Sequence, residues 1–170
     1  MKILAFIFLM SLFSCSSYKE FQSLREEDIV PAKTLPFDFD QTWQATLQVL
    51  QKYDLASQSQ DLGTIKTRWI DNTLELNFAD AFGKNESIKS AKFKLVVNVT
   101  RADRLTRALT KVSIYKRQMI EKEFLQGTKP ERSDGILEAT LLYRVQRVLE
   151  IEKELKRLKE IKNKQLEESL

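Results

Sequence analysis

Apolar residues follow two periods along this chain, and the change from one to the other marks the elements. The clearest stretch has period two. Phe93, Leu95, Val97 and Val99 alternate with Lys92, Lys94 and Asn98, as in a strand with one buried face. After Arg101-Ala102-Asp103-Arg104 the chain returns as Ala108, Thr110, Val112 and Ile114, which predicts an antiparallel hairpin. Other stretches step by three and four. Trp43, Leu47 and Leu50, with Ala45 and Val49 beside them, predict an amphipathic helix over 41–53. Asp38 or Asp40 can cap it. Leu137, Leu141, Val145, Val148, Ile151, Leu155, Leu158 and Ile161 predict a longer helix from 135 into the 160s, with Ser133 as a candidate N-cap.

Weaker signals fill the rest. Residues 34–39 read as a first strand, with Pro36 favouring a sheet edge. Residues 55–60 read as a weak strand, Asp61-Leu62-Gly63 as a turn, and 64–70 as a strand with Ile65, Thr67 and Trp69 on one face and Lys66 and Arg68 on the other. Leu74, Leu76 and Phe78 alternate, which suits a strand or an apolar flap, and Gly83-Lys84-Asn85-Glu86 suits a turn. Residues 115–127 show no sustained period. The order is β-α-β-β-β-β-α, with one strand of weak signal. The predicted fold is α+β: a two-layer sandwich in which an antiparallel sheet of about four to five strands carries the short and the long helix on one face. At ~1.5 Å per residue the long helix measures about 45 Å, more than such a sheet can cover. Its last turns should project, supported by Glu152–Lys156 and Glu160–Lys164 at i, i+4.

The N-terminus has neither period. Met1-Lys2 is followed by an apolar run from Ile3 to Phe13, broken only by Ser11. That run is about half of the ~20 residues a membrane-spanning helix needs and has the size of a secretory h-region. Leu12-Phe13-Ser14-Cys15 then resembles the bacterial lipobox: an aliphatic residue, a tolerant position, a small residue and cysteine. The resemblance implies cleavage before Cys15 and acylation of its thiol and new amine. The simpler alternative is an ordinary cleaved signal with an incidental cysteine. Ser16, rather than Asp, after the cysteine implies sorting to the outer membrane in a two-membrane bacterium, and the cell membrane in a single-membrane one. The domain reading is therefore 1–14 signal peptide, 15–33 lipidated N-terminus and tether, 34–152 folded body and 153–170 projecting charged helical tail.

Composition narrows the chemistry. The chain has 170 residues, 28 Lys+Arg against 24 Asp+Glu, no His and one Cys. Without His there is no Ser-His-Asp triad and no imidazole ligand. One Cys forms neither an internal disulfide nor a cysteine zinc site. The four glycines (63, 83, 127 and 135) are too scattered for a dinucleotide or P-loop turn. Asp38 and Asp40 could share a strand face as paired carboxylates, but capping and solvent account for them. Asp80 and Glu86 lack calcium-loop spacing. No catalytic residue, metal site or cofactor is predicted.

At the body, Phe39 through Leu50 with Gly63-Thr64-Ile65-Lys66-Thr67-Arg68-Trp69 resembles the repeated domain of the BamC (NlpB) lipoproteins. The match runs over residues 36–152. It implies a helix-grip fold and a role in outer-membrane β-barrel assembly. Family members usually carry two such domains after a long unstructured arm, whereas this chain has one domain and a short arm.

The candidate function is a non-enzymatic, lipid-anchored envelope lipoprotein serving as an accessory or scaffold subunit of outer-membrane protein assembly. The alternative is a carrier or sensor of an apolar ligand held between sheet and long helix. Cys15 is the lipidation site and the link to the membrane. Leu155, Leu158 and Ile161 on the projecting helix, with Trp69, Phe78 and Phe82 on a flap, are candidate contacts for an envelope protein. The helix could also pair with a second copy of itself. Arg101, Arg104 and Arg107 are candidate head-group contacts, and nucleic acid is not an expected partner.

Overall fold

The predicted hairpin is the centre of a seven-stranded antiparallel sheet in the computed structural model of the chain, which describes residues 30–80, 88–102, 108–122 and 127–168. In chain order the elements are β1 (Ala32–Leu35), α1 (Phe39–Leu50), β2 (Leu55–Ser59), β3 (Thr64–Thr67), β4 (Ile70–Asp71), α2 (Thr73–Asp80), β5 (Ser90–Arg101), β6 (Thr110–Glu121), β7 (Lys129–Glu131) and α3 (Ile136–Glu168). The sheet runs β1-β6-β5-β3-β2, with β4 also pairing β5 and β7 also pairing β6. The protein is an α+β sandwich of one antiparallel sheet and helices.

Register decides which residues enter the core. Val97 lies opposite Ile114, Val99 opposite Val112 and Ala91 opposite Ile120. Directly opposed residues share a face, so this set makes one apolar surface. Leu141, Val145 and Leu149 of α3 and Trp43, Ala45 and Leu50 of α1 pack onto it, all nearly inaccessible to solvent. Each buried Leu, Ile or Val contributes about 1.5–3 kcal/mol before the entropy of ordering it. α2 lies on the same side, where Leu76 packs with Ile88, Ala91 and Ile120. Among the described residues the main core is drawn from Leu35 to Leu149, within the unit Pro31–Leu170.

The sheet has seven strands rather than four or five, because β4 and β7 span two and three residues, too few to carry a period. β6 runs on to Glu121 through residues 115–121, which show no sustained period. There Lys116 and Gln118 occupy positions on the helix-facing side, which hides the alternation. Gln118 is buried, and the Lys116 ammonium lies 5.1 Å from the Phe93 ring centroid.

Residues 73–80 form a helix, not a strand or flap. The Thr73 amide donates to Asp71 Oδ1 at 2.9 Å, and Leu76 N–H donates to the Asn72 carbonyl at 3.1 Å. These bonds open a helical turn that outweighs the alternation of Leu74, Leu76 and Phe78. The Thr73 amide, and then its hydroxyl, hold the Asp71 carboxyl below its ordinary value of 3.8. A depressed folded value stabilises above the ordinary one and is lost as pH falls through it. The first turn of α2 should loosen in acid below pH 3.8, read as amide shifts of Thr73 and Leu74 that leave β5 unchanged.

The strand over 64–70 is also divided. Thr67 turns its hydroxyl to the Leu95 amide at 2.9 Å, and Arg68 N–H donates to the Asp54 carbonyl at 2.8 Å. β3 therefore stops at Thr67. Ile65 and Thr67 are buried as expected, whereas Trp69 is 41% exposed.

The helix boundaries follow their caps. α1 starts at Phe39, two residues earlier than expected, because Asp38 Oδ1 accepts the Gln41 amide at 2.8 Å. β1 ends at Leu35, before Pro36, which has no N–H to give a ladder. At α3 the Ser133 hydroxyl accepts from Gly135 N–H at 3.3 Å, while Asp134 takes the Ile136 amide at 3.0 Å. The expected serine cap is thus shared with Asp134.

Gly63 closes the β2–β3 turn at φ +60°, and its carbonyl accepts Val99 N–H at 2.7 Å. A Cβ there would run into the Val99 carbonyl oxygen. Gly63→Ala should therefore lower stability by about 2 kcal/mol or more, measured by urea unfolding; a change below about 0.5 kcal/mol would contradict this close approach.

Candidate functional site

α3 continues past the sheet as an exposed rod. Its buried residues end at Leu149, and from Ile151 to Glu168 every residue is exposed. The 33-residue helix is about 50 Å long at ~1.5 Å per residue. Ile151, Leu155, Leu158 and Ile161 are 42–58% exposed, and the helical period places the first three on one stripe. The stripe does not face the body. The side that returns toward it carries Glu152, Lys153 and Lys156, which with Pro36, Phe37 and Leu149 line a cleft of about 460 Å³. At ~100° per residue, Lys153 stands about 160° from the Leu155 direction. The sequence thus located Leu155, Leu158 and Ile161 correctly as exposed apolar positions on a projecting helix.

Of the other predicted contacts, the side chains of Trp69 and Arg101 are described. Trp69 is exposed on the far side of the sheet, between the Lys92 and Lys94 ammonium groups at 5.4 and 5.1 Å from its ring. Phe78 falls on α2, its side chain outside the described residues, and Phe82 is also outside them. Of the expected flap, the described part, residues 73–80, is helical. Arg101 ends β5 with its guanidinium 4.6 Å from the Phe39 ring, so it is stacked on the body. Arg104, Arg107 and Cys15 lie outside the described residues.

The carboxylates have structural roles. Asp38 caps α1, and Asp40 accepts from Gln60 Nε2 at 2.9 Å. Among the described residues no group of three or more His, Cys, Asp or Glu is placed to hold a metal ion. No described helix is long and apolar enough to cross a membrane.

A second cleft, about 360 Å³, opens where the N-terminus of α3 meets the sheet. Its lining includes the apolar Ile70, Phe93 and Leu137 and the charged Lys52, Glu75 and Lys116. Between sheet and α3 proper, Leu95, Val97, Ile114, Leu141 and Val145 leave at most 1% of their surface exposed. That interface is filled by the protein's own side chains.

The basic residues of the sheet's open face were only half legible. Alternation marked Lys92 and Lys94, but pairing register, which no local pattern carries, sets Lys94 opposite Arg117 and Lys66 opposite Val96. No family model matches the chain, and no curated protein matches it.

Glu138 is buried in the first turns of α3, and its Oε2 has no hydrogen-bond partner among the described residues. An unsatisfied buried carboxylate oxygen destabilises, by about 1–3 kcal/mol. Glu138→Met keeps a similar volume and removes that penalty. It should raise the thermal midpoint by about 3 °C; a fall would mean that the carboxylate is needed for the fold.

Proposed function

We propose that the protein is a non-enzymatic, lipid-anchored envelope lipoprotein that serves as an accessory or scaffold subunit in outer-membrane protein assembly. The lipobox resemblance at Cys15 supports the anchor. Ser16 supports the outer membrane, with the body facing the periplasm, and the cell membrane is the corresponding site in a single-membrane bacterium. The resemblance of residues 36–152 to BamC-like domains supports the assembly role. The observation that carries the scaffold reading is the exposed stripe of Ile151, Leu155 and Leu158, turned away from the protein's own body. Such a stripe on a charged helix suits a helix-to-helix contact with a partner protein or with a second copy. The carrier reading has the 360 Å³ cleft in its favour. It lacks room between sheet and long helix, where the side chains already meet.

Two measurements test the proposal. Cells grown with labelled palmitate should incorporate label into the protein, and Cys15→Ala should abolish it. An unlabelled wild-type protein would refute the anchor. Photo-crosslinking from position 158 in intact membranes should trap an envelope protein or a second copy, and Leu155→Glu with Ile151→Glu should abolish the adduct. Both changes lie on exposed positions, so stability should move by less than about 0.5 kcal/mol. Unfolding would show that the projecting helix belongs to the core and would contradict the scaffold reading.

A further inference from the structure

We propose that the open face of the sheet, opposite the helices, lies against an anionic phospholipid surface. The three described helices occupy one side, and no described element covers the other. Register collects Lys66, Lys92, Lys94, Lys111 and Arg117 on that open side. Lys94 and Arg117 are directly opposed partners in the central pair of strands. Like charges so placed destabilise a sheet, so this arrangement points to an anionic partner rather than to stability. Among the described residues no ion pair engages Lys66, Lys94, Lys111 or Arg117. Of the described acidic residues on this face, Asp71 lies directly opposite Lys92, near one end of β5, and Glu121 lies at the same end of the hairpin. Asp71 accepts the Thr73 amide, and Glu121 is the last residue of β6.

The form of the surface favours a bilayer over a shaped ligand. The charges spread over three adjacent strands, about 10 Å across at ~4.8 Å per strand, and the 460 and 360 Å³ clefts lie on the helix side. Trp69 and Tyr115, 41% and 47% exposed, share the region with the lysines. Amphipathic rings beside ammonium groups match the depth at which a bilayer offers head groups and the first methylenes. Contact here, rather than through Arg101, leaves the projecting helix free.

This inference rests on the envelope reading for where the protein resides, but its test does not need Cys15. The chain from Ser16 to Leu170 keeps every described core residue. It should sediment with phosphatidylglycerol–phosphatidylcholine vesicles, less so at high salt, and not with pure phosphatidylcholine. Each basic residue near such a surface is worth about fivefold in binding. Lys66→Gln, Lys94→Gln and Arg117→Gln together should weaken binding about 100-fold without lowering the thermal midpoint. Lys156→Gln, Lys159→Gln and Lys162→Gln on the projecting helix remove the same charge and should leave binding nearly unchanged. Vesicles should also shift the fluorescence of Trp69 to the blue, a shift absent in Trp69→Phe. Equal losses in the two triple variants would overturn the proposal. So would binding of soluble polyphosphate without binding of vesicles. Failure here leaves palmitate labelling at Cys15 intact, so the two readings fail separately.

Discussion

The pairing of β5 with β6 is the constraint on which the rest depends. It joins twelve residue pairs without a slip, from Ser90–Glu121 to Arg101–Thr110. A shift of one residue would turn Leu95, Val97 and Val99 outward and bring lysines to the helices. Four of the other five described strands join this hairpin, β1 and β7 on β6 and β3 and β4 on β5, and β2 extends the sheet from β3. The core under α1 and α3 exists because the hairpin holds that register.

The same register creates the opposite face. Each apolar residue sent to the helices leaves a polar neighbour pointing the other way. Lysine, serine and threonine there would suffice for solubility. A Lys94–Arg117 pair with Trp69 nearby goes further, since it places repulsion in the middle of the most regular part of the sheet. α3 adds a second outward-facing feature, because it is anchored only through Leu149 and then extends beyond the sheet. A filled core, a basic face and a charged helix with an exposed apolar stripe are the features on which the proposed scaffold reading rests.

Much of this was legible in the sequence, for physical reasons that differ by element. Phe93 to Val99 and Leu137 to Val148 carry strong periods because one face of each is buried throughout. The α+β class, the helix-covered sheet and the projecting tail follow from those periods. Residues 73–80 were hidden because Asp71 and Asn72 make a cap that a period count does not see. Trp69 was misplaced because Thr67 uses its side chain in the ladder and breaks the strand. The end of β6 was hidden by Lys116 and Gln118, polar residues that meet the helix side at its rim. Of the candidate site, the apolar stripe was local and readable. The basic face was only half readable, since alternation marks Lys92 and Lys94 but setting Lys66 and Arg117 beside them needs three strands in one register.

Amide hydrogen exchange on the chain from Ser16 tests the central division of the molecule most directly. Protection should be highest in β5 and β6 and in 141–149 of α3, and should fall steeply across 152–168, where each residue is exposed and only helix hydrogen bonds slow exchange. Protection that stays uniform along α3 to its end, or that is weaker in β5 and β6 than in β2, would contradict a hairpin-centred body with a free helical extension.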